Sequence, residues 1–298
     1  MSAPRRPALP PRRIGVVGHP RYASLHKAVE TVIDFARERG VELGVQPDLL
    51  PEDAAIPPLG DDLSTLDLLL TLGGDGTLLR GARMVAPYGV PVLGVNLGHL
   101  GFLTSLAPGE LEAGLHALAE GEVVLDERMV LNVRAEGADG TAHLSSLALN
   151  DAVLHRGGVA RMIRMAVYAH GEEVGTYSAD GIILATPTGS TAYSLSAGGP
   201  IVTPSVDCIV ATPICPHTLA VRPLILSAAE KVTVEVLSPT EELILTIDGQ
   251  QTAHLIPGDR LVVERAPQPL RLVRFPGQTF FSTLRRKLRW GDLEERER

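Results

Sequence analysis

One aspartate in this sequence stands where chemistry on a phosphate could take place. The apolar run LLLTL (68–72) ends in GGDGT (73–77), and a helical pattern follows. Glycine lets a backbone approach a phosphate closely, and a helix N-terminus presents free N–H groups with a partial positive charge. The carboxylate of Asp75 is costly beside phosphates unless it binds a metal or receives a proton. The loop therefore indicates phosphoryl transfer, with Asp75 orienting an attacking hydroxyl.

The familiar phosphate-binding motifs do not fit this loop. The lysine-containing GxxxxGK[ST] pattern is absent, and GDGTLL departs from the glycine pattern of dinucleotide-binding folds. An alternative interpretation is a tight turn in which Asp75 or Thr77 caps the following helix. Both interpretations stay open on this loop alone.

Two further stretches carry groups that could bind a substrate. In ALNDAVLHRG (148–157), the adjacent Asn150 and Asp151 offer the donors and acceptors that grip a sugar diol, or else form a strand-end turn. Seven hydroxyl residues lie within 186–196, where they could read the edges of a base or amide, or serve as caps and turns. His217 stands between prolines in the sequence, and a lone histidine is more often a structural residue than a ligand-binding one.

Composition excludes several classes of protein. The net charge of −8 argues against a general nucleic-acid or membrane-surface partner. No apolar run approaches the roughly 18 residues that a membrane span needs. Residues 1–13 are basic and proline-rich without an apolar core, so we expect a disordered tail and not a signal peptide. Two cysteines, Cys208 and Cys215, suit inert thiols in a reducing compartment. We expect a cytoplasmic protein.

The elements that position these residues change character near residue 126. Over residues 14–126, strands alternate with helices, which predicts an α/β domain with a parallel sheet, holding the GGDGT loop. Over 127–275, many strand patterns with few helices predict an all-β domain of stacked, sandwich-like sheets. We expect 276–298 to form a closing helix, returning to the first domain, and a charged tail. Elements expected here include a helix over 77–86, a turn at HGEEVG (170–175) and a strand at LRLVRF (270–275) in the β-rich domain.

Taken together, these stretches resemble the NAD kinase family. The resemblance rests on GGDGT, on the Asn-Asp pair, and above all on the specific run TPTGSTAYSLSAGGP (186–200). Further matches are PYGVPVLGVNLGHLGFL (87–103), PICPHTLAVRPL (213–224), DGQ (248–250) and LRRKLRW (284–290). The likeness runs from about residue 14 to 290. GGDGT alone is shared with diacylglycerol and sphingosine kinases.

The resemblance implies a reaction. The γ-phosphoryl group of ATP moves to the 2′-hydroxyl of the adenosine ribose of NAD, giving NADP, with Asp75 as general base. It implies that Mg²⁺ or another divalent cation arrives with ATP, and that the chain forms a homodimer or homotetramer through its strand-rich half. Whether polyphosphate replaces ATP, whether NADH is accepted and whether NADP(H) inhibits stay open.

The resemblance also assigns substrate contacts by position. The phosphate-side candidates are Gly73, Gly74, Gly76 and Thr77. The candidates for the ribose hydroxyls are Asn150 and Asp151, and Asp180 is placed near the nicotinamide amide. The adenine-side candidates are Thr191, Ala192, Tyr193 and Ser196. Further nucleotide-contact candidates are Arg80, Phe102, Arg161, Thr188, His217 and Gln250.

Position 178 departs from the family pattern. Many relatives carry a basic residue where this chain has Ser178, and that position can help to hold a phosphate. Our hypothesis is that Arg161 compensates, and unchanged Michaelis constants in Arg161→Ala would contradict it. Asp151 is also one methylene shorter than the glutamate of many relatives.

Two other functions compete with the NAD kinase interpretation. A lipid or sphingoid kinase would share the GGDGT loop, but it would need an apolar acceptor cleft and gives no reason for TPTGSTAYSLSAGGP. A non-catalytic nucleotide sensor of the same fold would not need Asp75.

Overall fold

A computed structural model describes residues 10–50, 56–98, 101–157, 162–218, 220–238 and 243–289. The chain separates into two units. One unit runs up to Glu127 and resumes at Leu270, and the other spans Arg128–Pro269. The first crossing lies beside the boundary expected near residue 126, whereas the return to the first unit comes before the expected closing segment at 276.

The described elements alternate between strands and helices in the first unit and are mostly strands in the second. The strands are β1 (Arg13–Gly18), β2 (Glu42–Val45), β3 (Leu68–Gly73), β4 (Val92–Asn96), β5 (Val124–Arg128), β6 (Leu131–Glu136), β7 (Ala142–Ala148), β8 (Asp151–Arg156), β9 (Ile163–Ala169), β10 (Glu172–Ala179), β11 (Gly181–Ala185), β12 (Cys208–Ile214), β13 (Leu224–Ser227), β14 (Val232–Val236), β15 (Leu243–Ile247), β16 (Gln251–Leu255), β17 (Arg260–Arg265) and β18 (Leu270–Arg274). The helices are α1 (Leu25–Arg39), α2 (Asp75–Val85), α3 (Leu111–Ala119), α4 (Tyr193–Ser196) and α5 (Phe280–Leu288).

The first unit is built on a sheet in the order β2-β1-β3-β4-β18-β5. Strand β1 pairs in parallel with β2 and β3, and β4 pairs in parallel with β3 and β18. The chain leaves β1 toward one side to form β2 and returns on the other side as β3. The loops after β1 and β3 therefore leave the sheet at a topological switch point, where open α/β sheets bind ligands. The α/β class with a parallel sheet is confirmed.

Strand β18 corrects one expectation. LRLVRF was expected in the β-rich domain, but its residues Leu270–Arg274 pair with β4, with Leu272 opposite Val92. The core of the first unit accordingly includes Val273, which is fully buried. An apolar strand pattern fits either sheet, so the pattern predicts the strand without its partner. The closing helix α5 follows within the same unit.

The second unit contains two antiparallel sheets. Their orders are β10-β9-β14-β17-β6-β7 and β13-β12-β11-β8-β15-β16. One apolar cluster joins them, with Val133 and Val167 from the first sheet and Leu154 and Leu245 from the second. In β15, the odd-numbered side chains from Leu243 to Ile247 are fully buried while the even-numbered ones are half-buried. This alternation is typical of stacked sheets, so the sandwich-like class is confirmed.

The turn expected at HGEEVG is shorter than the sequence suggests. Positive φ angles occur at His170 and Gly171, as in a two-residue hairpin turn, and β10 begins at Glu172. Gly175 then sits at an irregularity in the pairing of β10 with β9. The polar residues after the turn belong to an exposed strand, where polarity is not a sign of a loop. Strands β5, β13 and β16 were also absent from the expectations.

Neither a bilayer-spanning helix nor a cluster of metal ligands occurs in the described residues. Every helix there is too short or too polar to cross a membrane. No three His, Cys, Asp or Glu side chains of those residues come together in an arrangement that could hold a metal ion.

Candidate active site

The GGDGT loop lies at the carboxyl end of β3, a strand whose every residue is buried. A Cβ atom on Gly73 would overlap the side chain of Thr77, so the loop requires glycine there. Helix α2 begins at Asp75, two residues before the expected start, and Gly74 is its N-cap in an extended conformation. An acidic residue in the first helical turn interacts favourably with the helix dipole, which explains the earlier start.

The carboxylate of Asp75 is held by three backbone N–H groups. Its Oδ2 accepts from Phe102 at 2.7 Å, and its Oδ1 accepts from Leu103 at 3.1 Å and from Thr104 at 3.3 Å. A carboxylate has about four acceptor positions on its two oxygens. Asp75 therefore fixes the 102–104 segment and retains capacity on Oδ2 for one further donor, such as a hydroxyl.

Gly101 makes this arrangement possible, although it was not among the expected site residues. A Cβ atom at Gly101 would overlap the Asp75 carboxylate. The backbone at 101 therefore lies directly against the acid. The sequence signal for this contact was the second glycine of GHLGFL (98–103), which lies 26 residues after Asp75. Which glycine faces the acid cannot be read from the sequence.

Three other expected site residues of the first unit, Arg80, Phe102 and Gly76, differ in their contacts and in their exposure to solvent. The guanidinium of Arg80 donates to the carbonyl of Gly18 at 2.6 Å and to Gln46 Oε1 at 2.9 Å, at the carboxyl ends of β1 and β2. Phe102 is half-buried, with the ammonium of Lys287 5.7 Å from its ring centre. Gly76 is exposed. Arg80 is thus engaged in fixing the sheet edge beside the loop.

Residues after β1 form a cluster that sequence reasoning missed. The guanidinium of Arg21 donates to the Tyr22 hydroxyl at 2.9 Å and lies over its ring. A Cβ atom on Gly74 would lie 3.1 Å from that hydroxyl, and one on Gly98 would lie 3.0 Å from the Tyr22 ring. The loops at the switch point are therefore in contact.

The second unit contains a cavity of about 510 Å³, a volume typical of ligand sites. The expected residues that line it are Asn150, Asp151, Asp180, Ala192 and Tyr193. Additional polar lining comes from His155, Arg156, Thr246 and Asp248, none of which sequence reasoning had assigned. Alternation along β8 was the available signal, because Asp151, Val153 and His155 share one face of that strand.

The Asn150–Asp151 pair lies where the chain crosses between sheets. Strand β7 pairs with β6 in one sheet, whereas β8 pairs with β11 and β15 in the other. The carboxylate of Asp248 accepts the backbone N–H groups of Leu149, Asn150 and Asp151 at 2.8–3.1 Å. In return, the N–H of Asp248 donates to the carbonyl of Asp151 at 2.9 Å. Asp248 thus fixes the backbone that presents both candidate ribose ligands.

The side chain of Asp151 is buried beside a second acid. Asp151 is 5% exposed and Asp248 is 8% exposed. Burial, with the negative charge of Asp248 added, raises the pKa of Asp151 to about 7. Near neutral pH, this carboxyl group is therefore divided between a form that accepts hydrogen bonds and a form that also donates one.

Stability should fall with rising pH because of Asp151. In the unfolded chain this carboxyl loses its proton near pH 4, whereas in the folded chain it keeps the proton up to about pH 7. The folded state therefore binds the extra proton between these values, and its stability declines across that window. Asp151→Asn should remove a slope of up to about 1.4 kcal/mol per pH unit in the free energy of unfolding. Urea denaturation at pH 5, 6 and 7 measures it, and identical slopes in both proteins would contradict the assignment.

Most hydroxyls of the 186–196 segment serve the fold. Thr186 donates to the carbonyl of Leu149 at 2.5 Å and accepts from the Gly189 N–H at 3.0 Å. Ser190 donates to the carbonyl of Pro187 at 2.6 Å, and Ser194 is hydrogen-bonded to Thr212 at 2.8 Å. The caps-and-turns interpretation describes these three residues.

The remaining candidates on this segment divide by exposure. Thr191 donates to the carbonyl of Thr188, and Thr188 accepts from buried Arg128, so both hydroxyls have partners within the unit. Tyr193 is 48% exposed and lines the cavity beside Ala192. Ser196 is exposed on α4 and is not part of the lining. Ala192 and Tyr193 are therefore the members of this segment best placed for a ligand.

Asp180 stands between β10 and β11 at the cavity wall. Its N–H donates to the carbonyl of Ile214 at 2.9 Å, and its Oδ1 lies 3.4 Å from the guanidinium of Arg156. His155 contacts the carbonyl of Arg156 through Nδ1 at 2.9 Å. The cavity wall therefore carries a basic group next to an acidic one.

Four expected residues lie elsewhere. The carbonyl of Ser178 on β10 accepts the backbone N–H of His217 at 3.0 Å, and the His217 side chain is exposed. Gln250 is exposed in the turn after β15. Ser178, Thr188, His217 and Gln250 do not line the cavity. Arg161 lies outside the described residues.

Comparison with known proteins identifies the family. Residues 61–123 match a model of the ATP-NAD kinase N-terminal domain, and residues 149–275 match a model of the ATP-NAD kinase C-terminal domain. A NAD kinase of Gemmatimonas aurantiaca is 48% identical over 285 residues, which cover 96% of this chain and 98% of that protein. The chain belongs to the NAD kinase family.

Solved structures of the NAD kinase family share the fold. Yeast NADH kinase complexed with NADH aligns with a TM-score of 0.86 at 30% identity, covering 94% of this chain and 88% of that one. A NAD kinase from Archaeoglobus fulgidus in complex with ATP aligns with a TM-score of 0.72 at 28% identity, covering 93% and 98%. The resemblance inferred from the sequence is confirmed.

Proposed function

We propose that this chain transfers the γ-phosphoryl group of ATP to the 2′-hydroxyl of the adenosine ribose of NAD. As a member of the NAD kinase family, it phosphorylates NAD with ATP. The observation that carries the proposal is the cavity of the second unit, where Asn150 and Asp151 are presented together on a backbone fixed by Asp248. An amide and a carboxyl side by side can satisfy both hydroxyls of a ribose.

Asp75 is our proposed general base. The free acceptor position on Oδ2 suits a hydroxyl donor, while the N–H groups of the 102–104 segment keep the carboxylate in one orientation. A positioned base of this kind contributes about 10²–10⁴-fold to a rate. The larger part of the acceleration comes from aligning the two substrates and neutralising phosphate charge.

The residues that we propose to contact the phosphates and the adenine ring are also chosen from their positions in the structure. Gly73, Gly74 and Gly76 bring backbone close to a phosphate at the N-terminus of α2, where a helix binds anions. Ala192 and Tyr193 offer an apolar edge and an exposed ring for the adenine. We retain Arg80, Phe102, Arg161, Ser178, Thr188, Thr191, Ser196, His217 and Gln250 as substrate-contact candidates from the resemblance.

Mg²⁺ is proposed to enter with ATP, because nucleotide phosphates and water supply the oxygen ligands that it prefers. Bound there, it neutralises phosphate charge during transfer. Activity should vanish in EDTA and return in proportion to the MgATP concentration. Protein preincubated with Mg²⁺, desalted and assayed in chelator should be inactive. Retained activity after desalting would indicate a resident metal and contradict this route.

We propose a homodimer or homotetramer that associates through the strand-rich unit. Strands β13 and β16 are the edges of one of its sheets, and Ile225 on β13 is 57% exposed. Exposed edge strands with large aliphatic residues are common places of association. Light scattering after size exclusion measures the mass directly, and a monomer at all concentrations would contradict the proposal.

The choice of acceptor tests the proposal against a lipid kinase. ATP consumption should occur with NAD and be absent with diacylglycerol or a sphingoid base. Formation of NADP can be followed with an NADP-specific dehydrogenase. No observation favours the lipid-kinase alternative, and the matching family models and the Gemmatimonas aurantiaca relative are NAD kinases. Inorganic polyphosphate and NADH belong in the same assay as alternative donor and acceptor.

A further inference from the structure

The cavity of the second unit has an unbalanced set of charges. Three aspartates line it, Asp151, Asp180 and Asp248. Among the described lining residues, the permanently charged base is Arg156. A dinucleotide brings a negatively charged pyrophosphate to such a site, so the position of the one guanidinium matters for where each end of the ligand binds.

Arg156 contacts Asp180 at two points. Its backbone N–H donates to the carbonyl of Asp180 at 3.4 Å, and its guanidinium lies 3.4 Å from Asp180 Oδ1. Arg156 ends β8, opposite Leu243 of β15, so the sheet fixes its backbone. The two side chains are 33% and 28% exposed, which leaves both groups accessible from the cavity.

Strand β10, which leads into Asp180, carries no charged side chain at position 178. Ser178 on β10 stands two residues before Asp180 and is neutral, although a basic residue is common there in the family. Its carbonyl is used by His217. Arg156 contacts Asp180 from β8, the strand that pairs with β11.

We propose that Arg156 is a positioning residue that holds the Asp180 carboxylate as the acceptor for an exocyclic –NH₂ group of the dinucleotide. This rests on the proposed function. An amide or amino –NH₂ donates to a carboxylate, and the guanidinium 3.4 Å away holds that carboxylate in one orientation. NAD carries two such groups, the nicotinamide carboxamide and the adenine 6-amino group, and the resemblance favours the first.

Substrate analogues distinguish the two –NH₂ groups. Nicotinic acid adenine dinucleotide replaces the carboxamide by a carboxylate, and nicotinamide hypoxanthine dinucleotide replaces the adenine amino group by a carbonyl. The wild-type protein should reject one of these analogues by about tenfold or more in kcat/KM, the effect of losing one charge-assisted hydrogen bond. If it instead accepts both analogues as well as NAD, Asp180 accepts from neither group and the proposal is wrong.

The Arg156 variants then test the positioning role. Arg156→Gln should raise KM for NAD about tenfold, change kcat by less than about twofold, and lose most of the discrimination against the rejected analogue. Arg156→Lys should keep part of the discrimination against the rejected analogue, because a lysine supplies the charge without the planar geometry. Arg265→Gln is the matched control, since Arg265 pairs with Asp207 at 2.7 Å and is not part of the cavity lining.

A double-variant comparison decides whether Arg156 acts through Asp180. Adding Arg156→Gln to Asp180→Ala should cause no further loss of discrimination. Suppose instead that Arg156→Gln lowers kcat/KM equally for all three dinucleotides, and does so in the Asp180→Ala background as well. Arg156 would then contact the pyrophosphate directly, and the proposal would be overturned. Unchanged melting temperatures of the single variants exclude a folding defect. Failure of the proposed function would be visible separately, as absence of NADP formation by the wild-type protein.

Discussion

Asp75→Asn is expected to lower the turnover number for NADP formation by about 10²–10⁴-fold, with little change in the affinity for NAD. The amide cannot take the proton of the acceptor hydroxyl. The protein should still fold, because β3 and α2 have buried apolar faces that do not depend on this side chain. Steady-state kinetics with NAD and MgATP, together with direct NAD binding, measure both effects.

The same substitution also tests the contact of Asp75 with the 102–104 segment. An Asn –NH₂ group would face at least one of the three backbone N–H groups that the carboxylate accepts. Hydrogen exchange at these amides should therefore speed up. Asp67→Asn is a matched control, because Asp67 accepts the N–H groups of Arg12 and Arg13 at 2.9 and 3.0 Å in the same unit. Both N–H groups bind Oδ2, so the asparagine oxygen can take its place, and Asp67→Asn should keep that contact and leave turnover unchanged. Near-normal turnover in Asp75→Asn would remove Asp75 from the role of base.

Among the substitutions proposed here, Asp248→Ala is expected to lower the free energy of unfolding the most. Its carboxylate satisfies three N–H groups at Leu149, Asn150 and Asp151, and each buried group left without a partner costs about 1–3 kcal/mol. We expect a loss of about 2–5 kcal/mol in the free energy of unfolding, because water will reach part of the turn. The KM for NAD should also rise at least tenfold, since the ribose ligands lose their fixed backbone.

Two companion variants separate the causes. Asp248→Asn keeps one oxygen acceptor and tolerates the positive φ of 48° at this position, so it should lose less stability than Asp248→Ala. Asp139→Ala is the control, because exposed Asp139 accepts a single turn N–H from Thr141 at 2.9 Å. Urea denaturation compares all three variants. Equal stability of Asp248→Ala and Asp139→Ala, with unchanged KM for NAD, would contradict the role of Asp248.

Local sequence patterns predict those structural features that depend on residues close together in the chain. The buried strand before GGDGT, the helix after it and the alternation in β15 depend on neighbouring side chains, and each is present. The family resemblance supplied the candidate roles, and five of those residues line one cavity. Local pattern left two interpretations open for the hydroxyls of Thr186, Ser190 and Ser194, and the structure selects caps and turns for these three.

Long-range partners could not be predicted in the same way. Asp248 meets the Asn150–Asp151 turn across 97 or more residues of sequence, and Asp75 meets the backbone of Phe102 across 27. These contacts join a side chain to backbone N–H groups, and every residue except proline carries one, so the sequence contains no mark of the partner. Strand β18 illustrates the same limit for pairing, because its apolar residues suit either domain.

The position of the transferred phosphate tests the central claim most directly. The protein is incubated with NAD, ATP and Mg²⁺, and the dinucleotide product is examined by ³¹P NMR and by an NADP-specific dehydrogenase. We predict one new phosphate monoester at the 2′ position of the adenosine ribose, formed in equal amount with ADP and nearly absent with Asp75→Asn. A phosphate at another position, or ATP consumption without any phosphorylated dinucleotide, would contradict the account.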